Sequence, residues 1–90
     1  MAAKYWTYSI DPRDGRHTLN MPRNAAVVEI DQGPREALLL VFVDEDAPLE
    51  PREFWVVSVD SPLPNITLGY IGKFYGEGKL KFIHEVKDKL

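Results

Sequence analysis

Ninety residues with 14 acidic and 11 basic side chains, 44% hydrophobic and 28% charged, describe one small soluble domain (1–90) rather than a disordered chain or two domains. The absence of cysteine excludes a disulfide framework, thiolate metal sites and a cysteine nucleophile. The net charge of −3 is unevenly spread. Residues 1–40 balance, residues 41–60 hold six acids against Arg52 alone, and residues 61–90 carry five lysines against three acids. That is too weak a basic patch for a strongly electrostatic nucleic-acid binder, and too few acids for a DNA mimic.

Seven prolines and six glycines cut the chain into short runs of β-branched and aromatic residues. Tyr5 to Ile10 alternates, with Trp6, Tyr8 and Ile10 on one side. Asp11-Pro12-Arg13-Asp14-Gly15 is a turn, because proline fixes φ and glycine accepts a positive φ. His17 to Met21 alternates again and Pro22 ends it. Ala25 to Ile30 is a third strand, closed by Asp31-Gln32-Gly33-Pro34.

Glu36 to Val43 has helix formers in Ala37-Leu38-Leu39-Leu40, but it ends in Val41-Phe42-Val43. A short apolar run between turns suits a strand buried on both faces. An acidic, proline-bearing loop spans Asp44 to Pro51, and Phe54 to Val59 is a second strand apolar on both sides. Ser61-Pro62-Leu63-Pro64-Asn65 is extended, since each proline holds its predecessor out of the α region. Gly69 to Tyr75 and Lys79 to Val86 form a hairpin about Gly76-Glu77-Gly78. In its second strand Leu80, Phe82, His84 and Val86 make the apolar face, with Lys79, Lys81, Ile83 and Glu85 opposite. A short helical ending after Val86 also fits.

The expected fold is all-β, or β-rich with at most one short helix: a small antiparallel sandwich or barrel of six to seven strands. The two doubly apolar strands, 38–43 and 54–59, need cover that ninety residues barely supply. They predict a homodimer joined through this pair. The longest apolar run, Ala37 to Val43, is too short to span a bilayer, and the first residues lack the apolar core of a secretory signal, so the expected location is cytoplasmic.

No pattern assembles a nucleophile, base and oxyanion donors, so the expectation is a non-enzymatic protein without a cofactor. Asp44, Glu45 and Asp46, with Glu50 and Glu53, lack the EF-hand glycine, and Pro48 interrupts them; no metal is expected. The glycines around Tyr70 and Glu77 are turn residues rather than a phosphate cradle. Trp6, Tyr8 and Trp55, with the acidic loop Asp44, Glu45 and Asp46, are the candidate protein-binding residues, because Trp and Tyr dominate contact energetics. Tyr70, Lys73, Phe74 and Lys81 are the alternative, a nucleic-acid face on which aromatics stack bases and lysines track phosphates.

The chain also resembles a family of short, functionally uncharacterised β-rich proteins encoded mainly by tailed bacteriophages and prophages. Tyr5 and Tyr8, Leu19-Asn20-Met21-Pro22, Phe42-Val43-Asp44, Pro62-Leu63-Pro64, Tyr70-Ile71-Gly72-Lys73-Phe74 and Phe82-Ile83-His84-Glu85-Val86 carry the likeness, over residues 5 to 87. Val59-Asp60-Ser61 stands where family members often have a Gly-His pair. The resemblance implies a phage origin and action in the host cytoplasm, with no assigned catalytic residue. It makes occlusion of a host or defence protein the leading functional expectation, and a minor virion or assembly component another.

Overall fold

The computed structural model describes residues 2–87 and is all-β. Seven strands follow in chain order: β1 (Ala3–Ile10), β2 (Gly15–Pro22), β3 (Ala26–Gln32), β4 (Ala37–Asp44), β5 (Leu49–Ser58), β6 (Leu68–Gly76) and β7 (Lys79–Val86). They form two antiparallel sheets, β1-β4-β3 and β2-β5-β7-β6, packed as a sandwich. The segment with helix-forming leucines is therefore a strand, and every strand run read from the sequence is present, but β5 begins at Leu49, inside the stretch 44–51 expected as a loop, because Leu49 to Pro51 pair with Pro22 to Asn20. The helical ending expected after Val86 lies outside the described residues, beyond Lys87.

Alternation fixes what each strand buries. On β4, Ala37, Leu39, Val41 and Val43 are fully buried, while Leu38, Leu40 and Phe42 face outward. They meet Ile10, Met21, Phe54, Val56, Phe74 and Ile83 in one core. Each large apolar side chain so enclosed stabilises the fold by about 2 kcal/mol. Strands β4 and β5 sit near the middle of different sheets, so their outward sides point away from each other. This corrects the expectation that the two strands together build a single dimer contact.

The two flanks of the sandwich differ. On one side β3 packs against β6. There Gly72 allows the close approach, since a Cβ would meet Ile30 Cδ1 at 2.8 Å. A bulge between Tyr70 and Gly72 turns β6 toward β3. The Gln32 side chain completes this seam, accepting from Tyr75 N and donating to Tyr75 O, both at 2.7 Å. On the other flank β1 and β2 make little contact. The hairpin between β6 and β7 turns on Glu77 and Gly78, both at positive φ (55° and 74°), the geometry of a type I′ turn.

Candidate functional site: an aromatic cleft on the second sheet

Strand β7 sets the site. Its inward side carries Lys81, Ile83 and Glu85; its outward side carries Leu80, Phe82, His84 and Val86. The face that looks apolar in the sequence is thus the outer one. Partners drawn from distant segments make the inversion stable. Lys81 is 1% exposed. It donates to Glu77 Oε1 at 2.6 Å, Pro12 O at 2.6 Å and Asp14 Oδ1 at 3.1 Å, so all three ammonium protons are placed. Ser58 O–H donates to the same Asp14 carboxylate at 2.8 Å. Arg52 grips Glu85 in a bidentate fork, Nη2 to Oε1 at 2.9 Å, and donates to the Ala25 carbonyl at 2.7 Å.

The charges follow these contacts. Burial is the largest influence on Lys81 and would lower its pKa, but the Glu77 and Asp14 carboxylates together outweigh it and raise it. Burial likewise pushes the Asp14 and Glu85 carboxyls up; hydrogen bonds from Ser58 and Lys81 to Asp14, and from Arg52 to Glu85, win and hold both below the ordinary range.

Outside, Val57, Val59, Leu63, Tyr70, Phe82 and His84 line a cleft of about 300 Å³, bounded by the loop that follows β5. The Tyr70 ring stands edge-on to His84 at 5.5 Å and tilted against Phe82 at 6.3 Å. Tyr70 itself is 60% exposed. His84 Nδ1 is buried without a hydrogen-bond partner among the described residues. Burial holds the ring's pKa below 6.5, a shift the Trp55 backbone only partly opposes, so the imidazole is neutral and aromatic at neutral pH. An aromatic wall, an apolar floor and a neutral ring suit an apolar or aromatic side chain better than an ion.

The expected binding residues do not converge. Trp6 and Tyr8 lie opposite Val41 and Leu39 on the inward side of β1 and pack against the core. Burial raises the Tyr8 pKa. Trp55 faces outward on the other sheet, opposite His84 in register. Asp44, Glu45 and Asp46 form the β4–β5 turn, where Asp44 Oδ1 accepts from Asp46 N at 3.0 Å and Glu45 pairs with Lys4 at 3.0 Å. That loop is a capped turn with one ion pair at the far end of β4. Among the described residues no group of three or more His, Asp or Glu is placed to hold a metal ion.

The alternative face divides as well. Tyr70 and Lys73 point outward, but Phe74 is 2% exposed in the core and Lys81 is buried in its ion cluster. The bulge at Ile71 changes the alternation between Tyr70 and Phe74, which spacing alone does not disclose. Of the cleft residues, Val57, Val59, Leu63, Phe82 and His84 were not singled out from the sequence as a binding surface. The only signal was the Leu80, Phe82, His84, Val86 alternation, which reads equally as a core face.

Searches of curated proteins and of solved structures return no match. Residues 1–88 match the family model described as "Domain of unknown function (DUF7352)", and the chain belongs to that family.

Proposed function

We propose that this chain is a small non-enzymatic binding protein that engages a partner protein through the cleft formed by Val57, Leu63, Tyr70, Phe82 and His84. The observation that carries this reading is the inversion of β7. The fold gathers Asp14, Arg52 and Glu77 around Lys81 and Glu85 inside, and leaves an aromatic surface outside. Exposed aromatic surface of this kind supplies most of the energy of protein contacts. Resemblance to the phage proteins adds the setting: a partner in the bacterial host's cytoplasm, a host or defence protein whose surface is occluded.

The test is affinity capture from bacterial lysate at physiological salt with the wild-type chain, Tyr70→Ser and Tyr5→Ser. A discrete protein held by wild type and Tyr5→Ser but lost with Tyr70→Ser supports the reading. Equal capture by all three, or no capture, contradicts it. A second reading, nucleic-acid binding, draws on Tyr70 and Lys73 both pointing outward on β6. It expects binding to a labelled oligonucleotide that weakens steeply with salt and with Lys73→Ala.

A further inference from the structure

Four strands end the two sheets, and two of them, β3 and β6, are blocked against further pairing by bulges. Strand β3 bulges between Val27 and Glu29 and carries Glu29 and Asp31. Strand β6 bulges at Ile71, and the Gln32 side chain occupies the N–H and C=O of Tyr75. Strand β2 ends in Pro22 and carries Arg16, paired with Glu53 at 3.0 Å. Bulges, prolines and charges are the devices by which edges avoid pairing. Strand β1 has no bulge and no proline, and its one charge, Lys4, is paired with Glu45 at its start, which leaves Tyr5 to Ile10 clear. It pairs with β4 at eight successive positions without a register shift.

The open edge of β1 also lies on the loose flank of the sandwich. Trp6 and Tyr8 point inward there and remain only partly buried. A strand added beside β1 would cover them.

We infer that β1 pairs antiparallel with β1 of a second copy, joining two three-stranded sheets into one of six strands about a two-fold axis at Thr7. The strand is complementary to itself in this register. With Thr7 opposite Thr7 of the second copy, Trp6 meets Tyr8 across the strands on the inner side, and Tyr5 meets Ser9 on the outer side. Aromatic cross-strand pairs are favourable, and no like charges oppose within Tyr5–Ile10. The Lys4 end of one copy, where Lys4 pairs with Glu45, comes beside the Asp11 end of the other, where Asp11 pairs with Arg13, so two neutralised ion pairs flank the seam. A copy of this chain meets these conditions with no further specification. The contact is independent of the cleft on the other sheet and is not the β4–β5 pair expected from the sequence.

Sedimentation equilibrium of the full chain tests it. Thr7 is exposed on the outer face, so Thr7→Lys and Thr7→Glu leave the core untouched; urea unfolding at low concentration checks this. The wild type and Tyr70→Ser should sediment at twice the 10.3 kDa chain mass at high micromolar concentration. Each Thr7 variant alone should associate at least about tenfold more weakly, because it sets like charges face to face. An equimolar mixture of Thr7→Lys and Thr7→Glu should recover the double mass. A monomeric wild type, Thr7 variants that dimerise as tightly as wild type, or a mixture that stays monomeric would each overturn the inference. Loss of dimer in Tyr70→Ser alone would do so too, by moving the contact to the cleft.

Discussion

The two sides of β7 make opposite use of the same strand. Inside, Lys81 and Glu85 flank Ile83, and each charge meets a complete set of partners from other parts of the chain. Outside, Leu80, Phe82, His84 and Val86 are apolar or neutral and only half covered. A charged side can be the buried one when its charges are paired and its hydrogen bonds satisfied. Its apolar opposite is then left to contact something else. Side-chain polarity shows that a strand has two sides; the location of partners decides which of them is inside.

Substitutions on the inner side of the sandwich should cost the most. Ile83→Ala removes a fully enclosed side chain beside Phe54 and Val56 and should cost about 4 kcal/mol, read from urea unfolding. Arg52→Ala leaves Glu85 half-buried without its cation and the Ala25 carbonyl without its donor. That should cost about 2–3 kcal/mol in the same assay.

Acid sharpens the contrast, because the two sides titrate in different windows. His84 has a lowered folded pKa, so its contribution is present above about 6.5 and is lost as pH falls from there through the folded value. Asp14 and Glu85 are also lowered, so theirs holds above the ordinary carboxylate range and is lost below it, as pH falls through their folded values. Thermal melts against pH should therefore fall in two stages, and His84→Gln should remove only the first. On the outer surface, Tyr70→Ser should change stability by about 0.5 kcal/mol or less while abolishing partner capture.

Much of this architecture was legible in the chain. Turn chemistry located the seven strands, down to the hairpin at Glu77-Gly78, because proline and glycine act locally. Strand β4, apolar at nearly every position, reads as buried on both faces; only its register in the sheet separates buried Leu39 and Val41 from Phe42, which is exposed. What could not be read was long-range. Lys81 is a surface lysine by pattern, and only the arrival of Asp14 from 67 residues away makes it a core residue. Tyr70, Lys73 and Phe74 read as one face, but the extra residue at Ile71 shifts the alternation so that Tyr70 and Lys73 face out and Phe74 faces in. The cleft inherits both effects, so its residues were visible as a stripe but not as a surface. Trp6 and Tyr8 were noticed for their size, and the register with β4 turns them inward.

The most direct measurement is the paired urea unfolding of Lys81→Ala and Phe82→Ser, neighbours on one strand. The inverted strand predicts that the lysine is the costlier loss, about 3 kcal/mol, moderated because Asp14 and Glu77 reach water, against about 1 kcal/mol for the phenylalanine. The reverse order, with Phe82→Ser the more damaging, would contradict the account and turn the apolar side of β7 back toward the core.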